Sequence, residues 1–212
     1  MAVWLGMGAA VAVWWVAWDA PVWCRLQWAL WLFRQGRCAQ HGALVERELA
    51  RATDDRLKAL LQLNRATSLA WCGAWEAAEE AFQRVDGAWL GDLHQLLLHT
   101  DRTFAYIMAG RLEAAHEHLD LLRQAMQKRM LPGEVRGRIY RSLALYERAT
   151  GSVDQARTLL RAAARYPRCR LFRACDRWIE SSLALQESPT EQAMAAWNDV
   201  RRSSPAESFM AV

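Results

Sequence analysis

The sequence predicts an all-α protein: an N-terminal transmembrane helix at residues 1–20, then an α-solenoid of stacked helix pairs. Three observations carry this expectation. One phrase recurs: Gly73-Ala74-Trp75-Glu76-Ala77-Ala78 returns 37 residues later as Gly110-Arg111-Leu112-Glu113-Ala114-Ala115. A looser copy, Gly151-Ser152-Val153-Asp154-Gln155-Ala156, follows after 41 more, and Gly36 and Ser188 stand 37 residues outside the first and last copies. A turn phrase repeating at such a period marks a helical repeat array. The composition agrees, since Leu, Ala, Arg and Glu are strong helix formers and only 5 Pro and 11 Gly occur in 212 residues. The third observation is the run Ala2–Trp18, which contains no charged side chain.

That run, ended by Asp19-Ala20-Pro21, would span about 25 Å as a helix, close to a hydrocarbon core. No Lys or Arg precedes it, so it lacks the positive start of a cleaved signal peptide. The competing reading is a buried first helix of the array. Arg25, Arg34 and Arg37 follow the run, which places the rest of the chain on the cytoplasmic side of a cell membrane, crossed once. Of the 12 Trp, Trp14, Trp15, Trp18 and Trp23 would then gather near that interface. The 5 cysteines are odd in number and form no CxxC pair, which suits unpaired thiols in a reducing compartment.

Residues 21–53 read as a membrane-proximal pair, Pro21–Gln35 and Cys38–Ala52, turning at Gly36. Its first helix is apolar enough to lie on a membrane or to pack in the array. Residues 54–202 hold four further pairs. They are Asp55–Trp71 with Trp75–Val85, Asp92–Ala109 with Leu112–Met130, Glu134–Thr150 with Val153–Tyr166, and Cys169–Gln186 with Thr190–Arg202. Leu131-Pro132-Gly133 and Pro167 break the chain between pairs. Residues 203–212 read as a flexible tail.

A helix pair of this size buries its apolar face only against its neighbours, so small residues should recur where helices cross closely. Ala66, Gly73, Ala78 and Phe82 set this spacing in the second pair; Tyr106, Gly110 and Ala115 do so in the third, and Tyr140, Ala144, Ala156 and Ala163 in the fourth. The spacing resembles the tetratricopeptide repeat over residues 54–166, and more weakly over 21–53 and 168–202. The whole is similar to membrane-tethered tetratricopeptide proteins of bacterial envelopes. Thr103 departs from the family's small residue, Val85 and Leu122 from its last alanine, and His41 from its first.

The resemblance implies a concave groove lined by the first helix of each pair. Its positions fall on Leu63, Thr67 and Ala70, then on Thr100, Phe104 and Ile107, then on Arg138, Arg141, Leu145 and Arg148, and last on Trp178, Ser182 and Leu185. Arg138, Arg141 and Arg148 share one helical face, and guanidiniums so placed suit carboxylates or phosphates. The expected partner-binding residues are therefore Arg138, Arg141, Arg148, Phe104, Ile107 and Trp178, holding an acidic peptide or protein tail. A solvated arginine face, eased by Glu134 and Glu147, is the plainer alternative.

No GxGxxG, GxxxxGK[ST], HExxH or GxSxG occurs, and neither His94/His99 nor His116/His118 shares a helical face well. The expectation is a non-enzymatic adaptor or scaffold with no cofactor and no metal. The alternative rests on charge. Residues 123–177 carry 14 positive and 4 negative side chains, and Arg157, Arg161 and Arg165 recur every four residues. Such a stripe could meet nucleic acid or anionic lipid headgroups, although no aromatics interleave it and nucleic acid is not the expected partner.

Overall fold

A computed structural model describes residues 20–127 and 130–211. Among them are ten α-helices and no strand. The helices are α1 (Ala20–Arg34), α2 (Cys38–Leu49), α3 (Asp55–Trp71), α4 (Trp75–Gln83), α5 (Asp92–Met108), α6 (Leu112–Gln127), α7 (Gly133–Ala149), α8 (Val153–Ala163), α9 (Arg170–Glu187) and α10 (Glu191–Ser203). Short 3-10 turns stand at Gly87–Trp89 and Phe209–Ala211. The all-α class holds, and α2, α4 and α8 stop two or three residues before the ends expected from sequence.

The membrane placement is corrected. No helix among the described residues is long and apolar enough to cross a membrane, which overturns the single-pass, cytoplasmic-facing location. Residues 1–19, on which the anchor rested, lie outside the described residues. The helix that begins at Ala20 has 15 residues, about 22 Å of rise, and carries Arg25 and Arg34.

The turn phrase has a direct physical cause. Gly36, Gly73, Gly110 and Gly151 all take positive φ, between 75° and 88°, where a side chain would crowd the backbone. Each donates its N–H three residues back, and the next residue donates five back, as Gly73 to Ala70 and Ala74 to Leu69 show. This ending satisfies the last carbonyls of one helix and turns the chain directly into the next.

Small residues then let the helices cross. Ala66, Ala78, Ala115, Ala144, Ala156 and Ala163 are all fully buried. The departures from the repeat pattern are absorbed locally. Thr103 Oγ1 donates to the His99 carbonyl, and Leu122 is fully buried. At His41, Ser68 Oγ donates to the Asn64 carbonyl, which leaves it free to accept from Nδ1–H of the imidazole at 2.5 Å.

The first helices of the pairs line a common interior, and the row meets itself, because α9 packs on both α7 and α1. Aromatic rings from distant elements fill the middle. Phe33 of α1 meets Trp71 of α3 at 5.9 Å and Phe172 of α9 at 6.5 Å, while Trp71 stacks on Phe104 of α5 at 4.7 Å. The expectation of a flexible tail at 203–212 gives way as well. Ser204, Pro205, Ser208, Phe209 and Met210 are buried, and they close the interior where α1, α3 and α5 end.

Candidate functional site

Part of the interior is filled by the tail, where Phe209 packs against Trp71, Phe104 and Trp178. Elsewhere α1, α3, α5 and α7 surround a cavity of about 360 Å³. Its walls are mainly apolar, among them Leu26, Phe33, Leu60, Leu63, Leu97 and Val135. A volume of that order suits a small ligand or a large side chain of a bound peptide.

Polar groups stand at the rim and the floor. Arg34 Nη2 donates to Glu134 Oε2 at 2.8 Å across the rim, tying α1 to α7 with both side chains well exposed. On the floor, Thr67 Oγ1 donates to Asp101 Oδ2 at 2.7 Å, and Arg138 donates to Asp101 Oδ1. Both carboxylate oxygens are therefore engaged, and the guanidinium reaching the cavity is neutralised at its inner side. Buried His41 also lines the cavity, and burial pushes its pKa down to about 4, so the imidazole is neutral there.

Behind this floor lies a second ion pair. Arg141 donates from Nε to Asp176 Oδ1 at 2.6 Å and from Nη2 to Oδ2 at 3.0 Å, and both side chains are almost fully buried. The guanidiniums of Arg138 and Arg141 lie over the Phe172 ring, at 5.8 and 4.9 Å from its centroid. Aromatic faces attract cations at such separations. Arg148 lies over Trp178 at 4.9 Å, and burial lowers its pKa.

The six residues expected to bind a partner thus come to one interior, but not as a groove face. Arg138 alone lines the open cavity. Arg141, Phe104, Ile107 and Trp178 are buried in the core, with Phe104 and Trp178 both against Phe209 at 5.4 Å. The shared helical face is real. It points at Asp101, Phe172 and Asp176 rather than at solvent.

Sequence reading missed those acids, and a signal for them existed. Asp101 precedes Arg138 by 37 residues and Asp176 follows Arg141 by 35, so each lies one repeat away from its arginine. The helices concerned, α5 with α7 and α7 with α9, are in contact, so each arginine meets its acid on a neighbouring helix. The basic stripe is also partly spent: Arg157 donates from both Nη atoms to Glu187, at 2.9 and 2.7 Å. Among the described residues, no group of three His, Cys, Asp or Glu is placed to hold a metal ion.

Comparison with known proteins returns no relative: no family model, curated protein or solved structure matches the chain.

Proposed function

We propose that the chain is a non-catalytic binding module, a tetratricopeptide-like array whose first helices enclose a pocket for an apolar group of a partner protein or peptide. The observation that carries this reading is the cavity of about 360 Å³ between α1, α3, α5 and α7, walled by leucines and floored by Asp101 and Arg138. Apolar walls supply the drive for binding and the few polar groups set the orientation of what enters. The repeated turn geometry and the buried alanines favour the tetratricopeptide comparison.

The partner fits better as apolar than as acidic. Asp101 neutralises Arg138 and Asp176 neutralises Arg141, so an incoming carboxylate would have to displace an internal one.

The test is a titration of the full chain with 1-anilinonaphthalene-8-sulfonate as apolar probe. The reading expects one saturable site that Leu60→Trp abolishes by filling the cavity, and that Leu121→Trp on the exposed face of α6 leaves intact. Unchanged probe binding by a folded Leu60→Trp protein would remove the pocket from consideration.

A further inference from the structure

Residues 205–210 sit in the fold as a bound peptide would. Pro205 lies against the turn at Gly36, so close that a Cβ there would fall 2.4 Å from its ring. Two residues on, the Glu207 carboxylate accepts from the backbone N–H groups of Ala39 and Gln40, at 3.1 and 3.4 Å, and from Gln40 Nε2 at 3.1 Å. These N–H groups open α2, whose N-cap residue Arg37 supplies no side-chain cap of its own. A helix N-terminus favours a carboxylate through its free N–H groups and its dipole. Two residues further, Phe209 enters a cage of Trp71, Trp75, Phe104 and Trp178, with centroid distances of 5.4–5.7 Å. Met210 is fully buried behind it.

The repeat turns divide accordingly. A Cβ at Gly36 or Gly73 would meet Pro205 or Phe209, whereas at Gly110 and Gly151 it would meet nothing within 4 Å. Two of the four equivalent turns have thus become a seat for six residues of turn and 3-10 chain. The tether is slight by contrast. Only Val200 is buried among the 13 residues of α10, so the tail is held chiefly by its own contacts.

From this geometry we infer that the surface under residues 205–210 is a peptide-docking site, of which the tail is the resident occupant. Its external ligand is a segment of another polypeptide with the same pattern: proline, a carboxylate two residues later, and an aromatic ring two residues after that, followed by an unbranched apolar side chain. The cap on α2 reads the carboxylate, the four-ring cage reads the aromatic, and the turn glycines set the spacing between them. The tethered tail competes at the high effective concentration of a short linker, so an outside segment enters only when the tail is weakened or outbid. The seat and the cavity are lined by different residues, and either assignment can fail without the other.

The probe is a fluorescent synthetic peptide of the chain's own residues 203–212, titrated by anisotropy into the full-length protein. It should bind the Glu207→Ala/Phe209→Ala variant one to one and raise its Tm. It should bind the unaltered chain at least tenfold more weakly, because there the seat is filled. The same peptide with alanine in place of its Glu and Phe should not bind. A folded variant that ignores the peptide would overturn the inference, making the tail a piece of core only. If the double variant does not fold, Glu207→Gln decides. It keeps every buried ring and loses only the charge on α2, and failure to bind the peptide more tightly than the unaltered chain would refute the docking site.

Discussion

Arg141 and Asp176 face each other through two parallel hydrogen bonds inside the protein, on the adjoining helices α7 and α9. A buried pair of this kind is costly to break on one side, because the remaining charge is left desolvated. Arg141→Met should destabilise the fold by about 3–5 kcal/mol, and Arg141→Met/Asp176→Leu should recover most of that loss. Denaturant unfolding of the two variants checks it. Equal destabilisation by the single and double variants would mean that the arginine acts through packing on Phe172 and not through the pair.

The same geometry changes what a charge reversal tests. Arg138→Glu/Arg141→Glu places two carboxylates against Asp101 and Asp176, so it should unfold the chain rather than redirect its partner. Arg201→Glu/Arg202→Glu, on residues only partly buried or exposed in the last turn of α10, should leave the melting curve close to that of the unaltered chain. Circular dichroism separates the two outcomes directly.

The close crossings make a sharper test of register. Ala78 and Ala115 are fully buried at equivalent places after their turn glycines, whereas Ala77 is exposed. Overpacking a tight site typically costs about 1–3 kcal/mol and sometimes more. Ala78→Trp and Ala115→Trp should therefore lower Tm markedly, and Ala77→Trp should not. Similar losses at all three would contradict the packing described.

Histidine gives the protein a pH dependence with a definite sign. The folded chain keeps His41 neutral down to about pH 4, while the unfolded chain protonates it near its ordinary pKa of 6.5. Above pH 6.5 the contribution to stability is fully present. As pH falls from there toward 4, the unfolded state takes up a proton that the folded state refuses, and up to about 3 kcal/mol is lost. His94, His99 and His118 are shifted down by burial as well and add losses of the same sign. Urea unfolding at pH 7 and pH 5 should show a flatter profile for His41→Gln than for the unaltered chain.

Much of this architecture was legible in the sequence, because the repeat is written in residues whose roles are local. Gly73, Gly110 and Gly151 end helices through their own backbone conformation, and Ala78 and Ala115 mark close crossings by being small. The tail was not legible. Nothing about Ser204-Pro205-Ala206-Glu207-Ser208-Phe209 distinguishes a frayed end from a docked one, since its partners Gly36, Ala39 and Trp71 lie more than a hundred residues away. The arginine face of α7 was legible in its spacing but not in its direction, and helical periodicity alone does not say which neighbour a face meets. Asp101 and Asp176 supply that direction.

The central claim is that the pocket between α1, α3, α5 and α7 receives the partner, and a photo-crosslinking amino acid at Leu93 on its rim tests this most directly. In cells producing the full chain, illumination should attach one defined partner. That product should disappear when Leu60→Trp fills the cavity, and it should persist in Arg161→Glu/Arg165→Glu, which alters only exposed side chains of the basic stripe. A product that survives the filled cavity and vanishes with the two arginines would contradict the claim and move the binding surface to the outside of α8.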